Sequence, residues 1–86
     1  MIFPVYPGRP LKNGDWGPNV NIMQACLNYI INVYPVSPMI TGERDFGSLT
    51  ESAVRGVQGI VNLPIDGVID EKSWYAILAV ANFLAN

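Results

Sequence analysis

Two tripeptides thirty positions apart, Asp15-Trp16-Gly17 and Asp45-Phe46-Gly47, are the first places where this sequence offers side chains suited to chemistry. An Asp-Phe-Gly can hold magnesium for phosphoryl transfer, but only beside a Gly-rich loop, a strand lysine and a catalytic loop. None of these is present in the 86 residues, and there is no room for them. Seven carboxylates could supply the acid–base pair that glycoside hydrolysis needs. Asp70 and Glu71, however, read as helix-start residues, and Glu51 as a capping partner. The chain has no histidine, which excludes Ser–His–Asp and Cys–His chemistry and histidine-containing zinc sites. Cys26 is the single cysteine, so no internal disulfide forms, and its place on an apolar helical stripe reads as a buried, inert thiol. No catalytic residue, cofactor or metal ligand is assigned, and the chain is read as a non-enzyme.

The elements that must position these residues follow from size and pattern. Eighty-six residues make one domain. Half are hydrophobic and 14% charged, the balance of a packed globule. A net charge of -2 with five scattered Lys and Arg gives no cationic patch for nucleic acid. No apolar run is long enough to span a bilayer. The N-terminus lacks the charged and apolar regions of a signal peptide, so export would be directed from outside this chain, a piece of a longer secreted protein.

Pro4, Pro7, Pro10 and Gly8 make residues 1–13 an extended arm, with Phe3, Val5 and Tyr6 available to lay it on the core. Residues 14–86 form the domain proper. A first helix starts near Pro18, and Val20, Met23, Cys26, Leu27, Ile30, Ile31 and Tyr34 form its inward stripe until Pro35 stops it. Ser48-Leu49-Thr50-Glu51 fits a capping box opening a second helix, whose stripe is Ala53, Val54, Val57, Ile60 and Val61. Gly56 and Gly59 weaken that helix and imply close packing. Asp70 caps a third helix, with Trp74, Ile77, Leu78, Ala81 and Leu84 inward. Each tripeptide then reads as a turn starting a helix, the aromatic folding into the core and the glycine permitting the turn. The fold class is all-α, a small three-helix bundle with a weak internal repeat and an extended Pro-rich arm.

The run Thr41-Gly-Glu-Arg-Asp-Phe-Gly-Ser-Leu-Thr-Glu-Ser-Ala-Val-Arg-Gly-Val-Gln58, then Leu63-Pro-Ile-Asp-Gly-Val68 and Trp74, resembles the peptidoglycan-binding domain family. The segment from Leu11-Lys-Asn-Gly14 through Gln24 and Leu27 is similar to that family's opening half, and the resemblance covers about residues 6–79. Tyr6-Pro-Gly8 resembles forms of the domain in wall hydrolases of spore-forming Gram-positive bacteria. The chain departs from the family pattern at Glu43-Arg44-Asp45, at Val57 and at Val68-Ile69-Asp70. The resemblance implies binding of peptidoglycan, by glycan or stem peptide, in an extracellular, wall-associated setting beside a hydrolase catalytic domain. From charge and hydropathy, no nucleic-acid or membrane partner is expected. Candidate contacts are Arg44, Asp45 and Thr50 at one turn, Gln58 and Asp66 nearby, and Tyr75 as an exposed aromatic for a sugar face. The alternative is a protein–protein or autoinhibitory module, to which the apolar tail Ala76–Leu84 points.

Overall fold

Proline at position 18 opens the first of three helices in the computed structural model, which describes residues 4–86. The helices are α1 (Pro18–Val33), α2 (Ser48–Ile60) and α3 (Glu71–Ala85). Among the described residues there is no strand, and none of the helices is long and apolar enough to cross a membrane. The molecule is the small all-α three-helix bundle that the periodicity predicts.

Gly17 caps α1 at φ 120°, a left-handed conformation that glycine adopts without penalty. Val20, Met23, Leu27, Ile30 and Ile31 face inward. The helix ends because Tyr34 precedes Pro35 and is driven to an extended φ/ψ of −119°/95°. Tyr34 therefore leaves the inward stripe and is exposed, while Cys26 is half-buried.

The α2 start differs from the sequence reading. Gly47, not Ser48, is the N-cap residue, and Ser48 is already the first helical position. Its hydroxyl is one residue too late to cap, so the Ser48–Glu51 box does not form. Glu51 instead accepts from Asn13 Nδ2 at 3.2 Å and pairs with Arg55 at 3.3 Å. The open amides of α2 go to the carboxylate of Glu43 from the preceding loop. Ala53, Val54 and Val57 are buried, whereas Ile60 is exposed.

Helix α3 begins as predicted, the Asp70 Oδ1 accepting from the Ser73 N–H at 2.9 Å. Trp74, Ile77 and Leu78 are buried, with Ala81 and Leu84 packed against that core only in part.

Helix α1 packs against both other helices and forms the centre of the bundle. The connections are pinned to it and to each other by backbone and amide contacts. Leu11 and Ile69, both buried, exchange N–H···O bonds of 3.0 and 2.9 Å in an isolated antiparallel bridge. Asn28 on α1 grips both backbone atoms of Ile40 at 2.9 and 2.8 Å. Tyr6 meets Trp74 edge-on at 6.1 Å, and the Trp74 indole N–H donates to the Pro4 carbonyl at 3.0 Å. Val5 stays exposed, and the packing expected of Phe3 falls outside the described residues.

The two helix glycines separate physically. A Cβ at Gly56 would lie 2.8 Å from the carbonyl oxygen and a methyl of Val36, so the α1–α2 connection can lie close on α2 only over glycine. At Gly59 the nearest contact would be an ordinary 3.7 Å to Ile65, and packing demands no glycine there.

Candidate functional site

Two buried glutamines explain why the chain repeats itself. Gln24 on α1 donates through Nε2 to the carbonyls of Glu43 and Asp45 and to the hydroxyl of Thr50, the third residue of α2. Gln58 on α2 donates to Asp66 Oδ1, the Val68 carbonyl and the hydroxyl of Ser73, the third residue of α3. Its Oε1 accepts from the Asp66 and Gly67 amides. In each half a helix amide holds the loop that follows and the hydroxyl opening the next helix. A buried amide needs every donor and acceptor satisfied, and among the described residues no buried side-chain N or O lacks a partner. Sequence reading placed Gln58 among the ligand contacts and did not single out the matching role of Gln24.

The two tripeptide turns pair with each other. The Phe46 N–H donates to the Asp15 carbonyl at 2.9 Å, and the Gly14 N–H to the Phe46 carbonyl at 2.8 Å. Asp15 Oδ2 accepts from the Lys12 N–H at 2.9 Å, tightening the first turn. The aromatics then part ways. Phe46 is 1% exposed and joins the core; Trp16 is 76% exposed, although both were expected inside. The bundle has one interior, and Phe46 already fills it where the turns meet.

Trp16 lies beside Gly17, Asn21, Arg44 and Asp45 around a shallow hollow of about 270 Å³. Arg44 Nε donates to Asp45 Oδ1 at 3.2 Å, with the arginine side chain almost wholly in solvent. Asn21 Nδ2 donates to the Arg44 carbonyl at 3.0 Å, fixing the rim of the hollow from α1. In the same loop, the Glu43 carboxylate accepts from the N–H groups of Gly47, Leu49 and Thr50 and from the Thr50 hydroxyl at 2.6 Å. Partial burial pushes the Glu43 pKa up, but those four donors outweigh it and hold the carboxyl below the ordinary glutamate range.

A second, larger hollow of about 480 Å³ is lined by Tyr6, Gln58, Leu63, Pro64, Asp66 and the first turn of α3. It shares no lining residue with the first. Asp66 lies on its rim; hydrogen bonds from the Val68 N–H and the Gln58 amide lower its pKa. The six residues singled out from sequence thus do not form one cluster. Arg44 and Asp45 face solvent at the Trp16 hollow, and Asp66 belongs to the second hollow. Tyr75 is exposed, its hydroxyl accepting from the Tyr6 N–H at 3.2 Å. Thr50 and Gln58 are buried and bonded within the chain, fastening loops.

Among the described residues no group of three or more Cys, Asp and Glu is arranged to hold a metal ion. Burial pushes the Cys26 thiol up, away from nucleophilic character. At the far end, Tyr34, Ile60, Val61, Val80, Phe83 and Leu84 line an apolar groove of about 530 Å³ from which Phe83 protrudes.

Comparison with known proteins yields one match. A family model described as "Putative peptidoglycan binding domain" matches residues 17–77, well over half of the chain and all of α1 and α2. No curated protein and no solved structure matches.

Proposed function

The chain belongs to the peptidoglycan-binding domain family, and from that premise we propose that it is a non-catalytic module that binds bacterial wall peptidoglycan and so positions an associated wall hydrolase. The observation that carries the proposal is the family match running from the first tripeptide turn into α3. The geometry agrees with a binder: exposed polar groups line open hollows, and the turns are held by buried amides before any ligand arrives. Arg44 and Asp45 at the first hollow, Asp66 at the second and the exposed Tyr75 are the proposed contacts; Thr50 and Gln58 act by holding the turns. The setting proposed for the whole protein is extracellular and bacterial, at the cell wall.

Sedimentation with insoluble sacculi tests this, with chitin and cellulose as controls. Selective loss of the domain into the sacculus pellet is the expected result, and a domain that stays in solution with all three polymers refutes it. Asp45→Ala, which removes a solvent-facing carboxylate and leaves the backbone carbonyl that Gln24 holds, is expected to reduce the pelleted fraction at unchanged helicity.

A second reading, a protein–protein or autoinhibitory module, draws on the exposed Phe83 and the groove around it. It requires that the purified module, added in trans, change the activity of the hydrolase domain it accompanies. Unchanged activity at saturating module sets it aside.

A further inference from the structure

The most exposed tryptophan in a small apolar-rich protein calls for an account. Trp16 leaves the larger part of its indole in water, while Trp74 is wholly buried and Phe46, its counterpart in the second turn, is sunk in the core. The backbone carrying Trp16 is not loose. The Asp15 carbonyl accepts from Phe46, the Gly17 carbonyl accepts from Asn21 at 3.1 Å, and the Asp15 carboxylate holds the Lys12 amide. An indole presented on a fixed turn loses little conformational freedom on contact, which is what a flat stacking surface requires.

We propose that Trp16 is the stacking platform of a glycan subsite, with Arg44, Asp45 and Asn21 as its polar rim, and that this subsite takes an N-acetylated amino-sugar unit of the glycan strand and not the stem peptide. The proposal rests on the peptidoglycan reading above. A pyranose offers an apolar C–H face to an aromatic ring and hydroxyl and acetamido groups at its edge. The rim matches that edge. Arg44 supplies donors only, Asp45 supplies acceptors only, and the pair is joined at 3.2 Å and carries no net charge. A neutral rim suits hydroxyls and amides, whereas the charged groups of a stem peptide call for an uncompensated charge that this hollow lacks. The hollow, about 270 Å³, is small and open, a place for a single ring of a longer polymer.

The test compares the wild type with Trp16→Ala and Trp16→Phe in binding intact sacculi, peptide-free glycan strands and free stem peptides. Helical circular dichroism and melting temperature are measured on each variant, and an exposed side chain should leave both unchanged. The wild type is expected to bind sacculi and peptide-free strands alike, and Trp16→Ala to lose roughly tenfold to thirtyfold in affinity for both. Trp16→Phe, which keeps a ring, is expected to retain part of the binding. Soluble glycan oligomers are expected to protect the exposed indole from acrylamide quenching. Wild type that binds sacculi and stem peptides but not peptide-free strands overturns the subsite and leaves the wall-binding reading standing. So does Trp16→Ala that binds like the wild type. Failure of the wild type to bind any of the three overturns both.

Discussion

Replacing Glu43 by alanine is expected to destabilise the fold by about 2 kcal/mol, a large effect for a polar loop side chain. The carboxylate takes the Gly47, Leu49 and Thr50 amides at 3.1, 3.0 and 2.8 Å and the Thr50 hydroxyl at 2.6 Å. Loss of a helix cap costs about 0.5–2 kcal/mol. The buried Thr50 hydroxyl also loses its acceptor, which costs roughly 1–3 kcal/mol where water cannot replace it. Glu43 is itself partly open to solvent, so water recovers some of both. About 2 kcal/mol lowers the melting temperature of a domain this size by roughly 8–16 °C. The charge adds a pH signature. Because its folded pKa is depressed, Glu43 stabilises the fold above its unfolded value of about 4.3, and that contribution disappears as pH falls through the folded value. Thermal melts by circular dichroism should therefore show a wild-type–Glu43→Gln gap that is wide at neutral pH and narrows in acid. Gly47→Ala supplies an independent check: its Cβ would come within 2.6 Å of Glu43 Oε2 and displace the carboxylate, while φ −118° accepts alanine. Its cost should vanish in a Glu43→Ala background. Equal melting temperatures for wild type and Glu43→Ala, or a Glu43→Gln gap independent of pH, would refute the assignment of this cap.

Ser48→Ala is expected to change stability by less than about 0.5 kcal/mol, since Ser48 sits at the first helical position and caps nothing; urea unfolding measures it. Gly56→Ala should destabilise by about 1–3 kcal/mol despite better helix propensity, because the new methyl meets the Val36 carbonyl, and the same titration reads it. Cys26 should react with a thiol-specific disulfide reagent far more slowly than free cysteine at neutral pH, and at the ordinary rate once the chain is unfolded.

Helix positions were legible because their signals are local. Pro18 and Asp70 act within one turn of where they stand, and Pro35 stops α1 through the residue before it. The α2 cap was not legible in the same way. Ser-x-x-Glu matches a capping pattern, but the helix starts one residue earlier than that pattern requires, and the true acceptor reaches in from Glu43, outside any local motif. The repeat itself was readable, yet it led to the wrong environment for Trp16, because two similar turns compete for one interior and only Phe46 enters it. Among the site candidates, the exposure of Arg44 and Asp45 follows from their place in the turn before Phe46. Thr50 and Gln58 look identical to surface polar residues in sequence, and only the packing of α1 against α2 and of the loops on both shows them serving the interior.

The way Gln24 holds its loop has a consequence for how such a module can diversify. Gln24 binds the carbonyl oxygens of Glu43 and Asp45, atoms that every amino acid possesses, and Asn21 likewise binds the carbonyl of Arg44. The scaffold therefore reads the path of the chain and is indifferent to what stands at positions 44 and 45. Those two side chains can be exchanged without loosening the loop that displays them, so the chemistry of the rim can be changed by point substitution while the bundle stays as it is.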